Sequence, residues 1–127
     1  MANTSAMCTS FKQEILVATH NFTASTGNTF KIALYDSDAT LGASTTAFST
    51  SEEITNTSGS AYTSGGATLT SVTPVASSTT AVCDFSDVSF SSASFTANGA
   101  LIYNDTQSDK AVAVIAFGSD KTVTSGT

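Results

Sequence analysis

The fold is decided by four segments in the second half of the chain: TAVCDF (80–85), DVSF (87–90), ASFTANGALIYND (93–105) and KAVAVIAFG (110–118). They are rich in Val, Ile, Phe, Tyr and Thr and are separated by Ser, Asn, Asp and Gly, which is typical of β-strands joined by turns. In the last segment both alternating sets of side chains are apolar. This predicts a central strand that is covered on both faces, with an N-terminal helix as one cover.

The first half contains weaker strand signals. FKIALY (30–35) places apolar side chains on one face and predicts a strand, and residues 46–49 predict a short edge strand. GATLTSVTPVA (66–76) changes its alternation midway, which predicts a bulge or a break. Pro74 cannot donate a backbone hydrogen bond, so we expect it at an edge or in a turn.

The N-terminal region follows a different pattern. Apolar residues recur every three to four positions after Thr9 and Ser10, which predicts a short helix over residues 10–20 with one of these two as its N-cap. We expect residues 1–9 to be a flexible arm, residues 10–127 to be a single β-rich domain, and residues 50–66 to be a long loop. The predicted fold is mainly β, an antiparallel β-sandwich or jelly-roll-like domain with one short N-terminal helix.

The C-terminal residues KTVTSGT (121–127) begin a further strand-like pattern around Thr122 and Val123. Two interpretations stay open. Either the last strand is short, or the natural protein continues past Thr127.

Composition restricts the classes of partner. The chain of 127 residues contains 44 Ser and Thr, only four Lys and no Arg, and its net charge is −6. Nucleic acid and anionic membrane surfaces are bound through clustered basic residues, so we expect neither as a partner. The N-terminus lacks the basic start and apolar run of a secretory signal. Cys8 and Cys83 are expected to be free thiols, and no metal-binding motif or cofactor is predicted.

Several polar residues are candidates for functional sites. Asp36 and Asp38 could offer two ligands to Ca²⁺, but the spaced acids of a calcium loop are missing, and capping of a turn explains them better. His20 has no recognisable nucleophile motif, so an ordinary position near the helix C-terminus is favoured over catalysis. Glu52 and Glu53 are adjacent and do not face each other as glycosidase carboxylates do, so we interpret them as residues of a solvated loop.

Two further features concern the surface. The glycosylation pattern N-x-S/T occurs at Asn3, Asn21, Asn56 and Asn104, but a chain so rich in Ser and Thr produces such matches by chance. The aromatic residues are expected in the core. Tyr62 is the exception, since it lies among Ser and Gly in the long loop, and we expect it to be an exposed contact for a partner protein.

Read in order, four stretches resemble a family of small virion proteins of tailed bacteriophages: SFKQEILVATHNFTASTGNTFKIALY (10–35), GGATLTSVTPV (65–75), TTAVCDFSDVSFSSASFTANGALIYND (79–105) and DKAVAVIAFGSDKTVTSGT (109–127). The resemblance spans nearly the whole chain. It implies a location in the virion and a role as a capsid decoration or cement protein. Members of that family often continue past the position of Thr127 into a further apolar strand, and this chain differs from them there. The resemblance implies no catalytic residues.

The expected partners follow from this resemblance. They are the major capsid protein or another virion protein, together with further copies of the chain in a homo-oligomer such as a trimer. Contacts are expected from the N-terminal arm, from the long loop with Tyr62 and from any exposed sheet edge. Two alternatives stay open: a tail, neck or fibre component, and a carbohydrate- or receptor-binding module. We do not expect an enzyme.

Overall fold

The computed structural model describes residues 2–55 and 61–127, which form a mainly β fold with one short N-terminal helix. This confirms the predicted fold class. The elements follow in chain order: β1 (Ala6–Met7), α1 (Thr9–Leu16), β2 (Phe30–Tyr35), β3 (Ala67–Leu69), β4 (Ser71–Ser77), β5 (Thr80–Phe85), β6 (Ala93–Asn104) and β7 (Lys110–Gly126). The arrangement is consistent with a β-sandwich-like domain, although its sheets are not closed.

Five strands form the main sheet in the order β1-β7-β6-β2-β3, with all pairs antiparallel. The longest pair is the β6–β7 hairpin, whose register runs from Asn104 opposite Lys110 to Ala93 opposite Gly126. The apolar start of β7 lies between β1 and β6, as its pattern predicts. Cover on its two faces is incomplete, because Ile115 remains 41% exposed.

Strands β4 and β5 form a separate two-stranded sheet. The predicted break in residues 66–76 is confirmed, because β3 ends at Leu69 and β4 begins in the other sheet at Ser71. The register of β4 against β5 then shifts between Val72 and Val75. Pro74 lies within this irregularity, where a residue without a backbone N–H is tolerated.

The buried side chains form two clusters on the main sheet. The larger one contains Phe30, Tyr35, Leu101 and Tyr103 from β2 and β6, together with Phe11 of α1. The smaller cluster surrounds Leu34, Ile54, Tyr62, Ala97 and Ala100. Aromatic residues therefore belong to the core, as predicted.

The flexible-arm prediction for residues 1–9 is wrong for the residues that the structure describes. Ala6 and Met7 pair with Val114 and Ala113 of β7 and so extend the main sheet. Cys8 is fully buried, and Asn3 is 8% exposed. Small polar residues resemble a flexible arm in sequence, but here backbone hydrogen bonds to β7 fix the segment in place.

The helix begins where predicted but ends earlier. Its N-cap is Cys8, which makes no side-chain capping bond, so neither Thr9 nor Ser10 has the predicted role. The helix stops at Leu16, four residues before His20, and Ala18 adopts a left-handed conformation with φ 61°. The backbone N–H of Thr19 then donates to the carbonyl of Glu14. This bond satisfies a carbonyl at the helix end, and the chain then continues toward β2.

Three smaller predictions are also corrected. Residues 87–90 form no strand, and the expected edge strand at 46–49 is reduced to one bridge between Ala47 and Lys110. The pattern at Thr122 and Val123 is not a new strand, because β7 continues without interruption to Gly126. Within β7, Gly118 has a positive φ of 78°, which glycine adopts more readily than other residues, and the strand continues past it to Gly126.

Candidate functional site

A buried carboxylate, Glu53, organises the loop that precedes β3. Its Oε1 accepts hydrogen bonds from the Tyr62 hydroxyl at 2.6 Å and from the Gly65 backbone N–H at 2.6 Å. Its Oε2 accepts a bond from the Ser64 hydroxyl at 2.8 Å. Three donors from one loop therefore converge on one carboxylate, which compensates for the loss of its hydration.

Tyr62 links this carboxylate to the sheet. Its hydroxyl accepts a hydrogen bond from the backbone N–H of Leu34 at 3.0 Å while it donates to Glu53. Leu34 lies in the stretch of β2 beyond the three residues that pair with β3, and the carbonyl of Leu34 accepts from Ile54. The tyrosine thus satisfies a strand-edge N–H that β3 does not reach.

The prediction of an exposed Tyr62 is therefore wrong. The side chain is fully buried and packs against Phe90 and Phe95, with ring centroids 5.5 Å and 6.0 Å away. Burial, and next the hydrogen bond to Glu53, raise the pKa of Tyr62, so the hydroxyl stays protonated and available as a donor. Because Tyr62 lies among Ser and Gly, nothing in the neighbouring sequence indicates that its hydroxyl bonds to a buried carboxylate.

Two glycines complete the loop around Glu53. Gly65 and Gly66 have φ values of 91° and 79°, and the carbonyl of Gly65 accepts a hydrogen bond from the Tyr103 hydroxyl at 2.7 Å. A Cβ atom on Gly66 would collide with the backbone carbonyl of Ile32 in β2. Only glycine fits this close approach. The solvated-loop interpretation therefore holds for the exposed Glu52 but is wrong for Glu53, which is 7% exposed.

A second polar cluster joins α1 to the main sheet. The His20 side chain is fully buried, and its Nε2 lies 3.2 Å from Oε1 of Glu14. Its Nδ1 lies 2.9 Å from Nδ2 of Asn104, the last residue of β6. The second oxygen of Glu14 binds the Lys110 ammonium at 2.8 Å. The sequence analysis placed His20 near the helix C-terminus, but the helix ends at Leu16 and His20 connects Glu14 of the helix to Asn104 of β6.

The hydrogen bonds around Asn104 assign the tautomer of His20. The Oδ1 of Asn104 accepts from the Gln107 backbone N–H, and its Nδ2 donates to Oδ1 of Asn28, which also accepts from the Asn21 backbone N–H. Backbone donors thus fix both amides, so Nδ2 of Asn104 faces His20. In this network Nδ1 of the imidazole is assigned as the acceptor from Asn104 and Nε2 as the donor to Glu14.

The charge of Glu14 is set by the same cluster. Burial acts to raise the pKa of this carboxyl, but the hydrogen bonds from Lys110 and His20, with the charge of Lys110, outweigh it and hold the pKa below its ordinary value. Glu14 is therefore an anion that holds α1 against the start of β7. These bonds hold α1, the turn after it and the end of β6 together.

A third group contains the acidic residues beside the β2 end. The carboxylates of Asp36, Asp38 and Glu52 lie within 4.8 Å of one another, so the structure adds Glu52 to the pair considered from sequence. Oδ1 of Asp36 accepts from the backbone N–H of Asp38 at 2.9 Å, which confirms that Asp36 caps a turn after a strand. The carboxylates of Asp38 and Glu52 belong to exposed residues. Turn capping explains the position of Asp36 without a metal ion.

The remaining residues singled out from sequence are dispersed. Asn3 and Asn104 of the N-x-S/T matches are buried, whereas Asn21 is exposed, and Asn56 lies outside the described residues. Cys8 is buried, Cys83 is exposed, and both are free thiols. Desolvation, complete for the buried Cys8 and partial for the exposed Cys83, raises the pKa of each thiol, which lowers its reactivity at neutral pH.

An apolar groove is the feature that the sequence did not indicate. It has a volume of about 430 Å³ and lies between α1 and the β4–β5 hairpin. Phe11 and Ile15 form one wall, Val82 and Cys83 the other, and Ile102 of β6 lies in the floor. The groove joins residues about 90 positions apart, so no local pattern could reveal it.

Comparison with protein families, with curated proteins and with solved structures finds no match to this chain. Among residues 2–55 and 61–127, no helix combines the length and the apolar character needed to cross a membrane.

Proposed function

We propose that this protein is a structural component of a bacteriophage virion and that it decorates or cements the outer capsid surface, with the major capsid protein as its partner. One observation carries the proposal. The buried side chains Glu14 and His20 join α1 and the turn after it to Lys110 and Asn104, far along the chain, and the buried Glu53 fixes the loop before β3. A capsid-surface protein needs such a rigid scaffold, since its task is to maintain contacts rather than to carry out a reaction.

Two further features support the same role. The sequence resembles small virion proteins of tailed phages over nearly its whole length. Its polar residues are mostly Ser and Thr, with few charged residues. Beyond its pairing with β1 and its bridge to Ala47, the outer edge of β7 has no strand partner from Phe117 to Gly126 in the described part of the chain. A free edge can pair with a strand of a neighbouring protein.

The test compares phage particles that contain this protein with particles from which its gene is deleted. We expect the deleted particles to release their DNA at lower temperature, because cement proteins act through many weak contacts that add up over the capsid. Addition of the purified protein should restore the release temperature. Equal heat resistance of the two kinds of particle would contradict a cementing role.

Copy number separates the capsid from other positions in the virion. A decoration protein is present in hundreds of copies, whereas a tail, neck or fibre component is present in a dozen or fewer. Quantitative mass spectrometry of purified particles, referenced to the major capsid protein, measures this ratio. A low ratio would replace the capsid proposal by a tail, neck or fibre role.

The alternative of a carbohydrate- or receptor-binding module would use exposed aromatic side chains to contact its ligand. Tyr35, Tyr62 and Tyr103 are each at most 2% exposed. A module of this kind would need other side chains, and the described surface offers no cluster of exposed aromatic residues in their place.

A further inference from the structure

His20 is the only histidine of the chain, and it lies in the segment between α1 and β2. Its side chain has no exposed surface. The rings of Phe11 and Phe30 pack beside the imidazole, with centroids 4.9 Å and 6.5 Å away. Histidine is the side chain that ordinarily gains or loses a proton between about pH 5 and 8. A proton added to His20 therefore enters a site without solvent contact, where the neighbouring groups have to accommodate its charge.

The contact with Asn104 offers no acceptor to that proton. Nδ1 of His20 accepts from Nδ2 of Asn104 at 2.9 Å, while Nε2 donates to Glu14 at 3.2 Å. Because Nε2 already carries a proton, a second proton has to bind at Nδ1. There it would face an N–H of Asn104, so two donors would oppose each other and the hydrogen bond would be lost.

Reversal of the Asn104 amide would present an oxygen to the proton, but the neighbouring bonds oppose this reversal. Oδ1 of Asn104 accepts from the Gln107 backbone N–H at 3.2 Å, and Nδ2 also donates to Oδ1 of Asn28 at 2.9 Å. Reversal would place donor against donor at Gln107 and acceptor against acceptor at Asn28. If Asn28 also reversed, it would lose the bond that its Oδ1 accepts from the Asn21 backbone N–H. Asn104 is fully buried, so water does not replace these bonds.

The charges near His20 are already balanced. Glu14 of α1 is an anion whose Oε1 lies 3.2 Å from Nε2, and it favours a positive imidazole. The Lys110 ammonium at the start of β7, however, lies 2.8 Å from Oε2 of Glu14 and matches its charge. On the neighbouring elements, Lys31 of β2 and Asp105 after β6 pair with each other at 3.4 Å. A second proton on His20 would thus add an unmatched positive charge to a buried group.

We propose that His20 and Asn104 form an acid-sensitive contact, which holds α1 and the turn after it on the main sheet and opens when a second proton binds at Nδ1. The N–H groups of residues 17–19 donate to carbonyls of α1 itself and not to the sheet. Leu16 and Val17 at the helix end are 85% and 63% exposed. This segment can therefore separate from β6 without breaking the sheet. The inference rests on this contact and not on a role in the virion.

Opening of the contact exposes the nitrogen that binds the proton. An imidazole released from Asn104 binds its second proton at about pH 6.5, as an ordinary histidine does. The closed contact opposes the same proton, so the open state binds more protons and the contact weakens as the pH falls below that value. We expect the open fraction to increase about three- to eightfold between pH 7 and 5.5, where eightfold is the limit for one proton.

Hydrogen exchange of the full chain, followed by nuclear magnetic resonance, measures this opening. The probes are the backbone N–H groups of Thr19, which bonds to Glu14, and of Gln107, which bonds to Asn104. After correction for the intrinsic effect of pH on exchange, both should lose protection by the factor given above. Because His20 is the single histidine, the nitrogen signals of its ring are unambiguous, and they should show the proton on Nε2 at pH 7.5.

Three variants separate this contact from other sources of acid sensitivity. His20→Gln removes the titrating ring, so protection should no longer depend on pH in this range. Asn28→Ala removes one bond that opposes reversal of the Asn104 amide, so it should reduce the dependence. Asn98→Ala is the matched control and should leave the dependence unchanged, because its amide bonds to Asp120 of β7 instead. Circular dichroism verifies that each variant is folded.

Four results would overturn the proposal. Two need only the wild type: a proton on Nδ1 instead of Nε2 at pH 7.5, and protection that does not change between pH 7 and 5.5. They decide the question even if a variant is unfolded. The other two are an equal loss of protection in His20→Gln and a full pH dependence in Asn28→Ala.

Discussion

Strands β6 and β5 have similar strand-forming sequences but opposite environments. In β6, Leu101 is fully buried between β7 and β2, whereas Val82 in β5 is 43% exposed and pairs only with β4. Both segments therefore form strands, as their residue types predict, but only β6 has a neighbouring strand on each edge and a packed face. The comparison shows that a strand signal predicts an extended backbone, while stability depends on what covers it.

The largest effect is expected at the centre of the main sheet. Leu101→Ala should lower the free energy of unfolding by about 2–5 kcal/mol, because it removes buried methyl groups and leaves a cavity. Urea unfolding followed by circular dichroism measures the change. A loss as small as that of an exposed valine would contradict the division between covered and uncovered strands.

The second effect concerns the glycine that lets the β3 loop approach β2. Gly66→Ala should cost about 1–3 kcal/mol through overpacking, because its Cβ atom would meet backbone rather than a movable side chain. The left-handed φ at this position adds to the cost. Gly118→Ala is the matched control, since Gly118 has a similar φ of 78° but open space around it. Equal losses in the two variants would show that the close contact with β2 is unimportant.

The third effect concerns the Glu53 cluster. Tyr62→Phe removes one hydroxyl and leaves the Leu34 N–H without its acceptor and Glu53 without one donor. We expect a loss of about 1–3 kcal/mol, as for other buried polar groups that lose a partner. Thermal unfolding monitors this loss. Tyr35→Phe gives the comparison for a buried tyrosine whose hydroxyl bonds to the backbone of Ser49 instead of to a carboxylate.

The fourth effect is a dependence on pH that arises at Glu14. Because the folded-state pKa of Glu14 lies below its ordinary value, its contribution to stability is complete above the unfolded-state pKa and disappears as the pH falls through the folded value. Urea unfolding at a series of pH values below 5 should therefore show a smaller decline for Glu14→Gln than for the wild type. Parallel declines would exclude Glu14 as a source of acid sensitivity.

The smallest effect is expected in the hairpin. Val75→Ala should change the free energy of unfolding by about 0.5 kcal/mol or less, because the side chain is 61% exposed. The measurement belongs at a concentration where the chain is monomeric. A loss comparable to that of Leu101→Ala would show that the hairpin is covered even in the single chain.

The sequence predicted most strands because their signals are local. Alternation in FKIALY and the change of alternation around Pro74 correspond to β2 and to the break before β4. Local patterns did not predict the elements whose bounds depend on bonds between distant segments. Ala6 and Met7 form a strand only because β7 offers a free edge, and the helix ends at Leu16 although apolar periodicity continues.

The candidate sites were harder to predict than the strands. His20 lies 84 residues from Asn104 in the chain, and Tyr62 lies 28 residues from Leu34, so neither bond has a sequence signal. A long loop of Ser and Gly is typical of a solvated segment, and that expectation placed Tyr62 and Glu53 at the surface. Both residues are buried instead, because three hydrogen bonds compensate for the desolvation of the Glu53 carboxylate.

By itself, the sequence determined that this chain forms antiparallel β-structure with a short N-terminal helix, because strand and turn preferences depend on neighbouring residues. Only the tertiary structure decided which strands are covered, which polar side chains are buried and where an apolar groove remains. These properties depend on contacts between segments tens of residues apart. The same β-rich sequence is therefore a packed core in β6 and an uncovered surface in the β4–β5 hairpin.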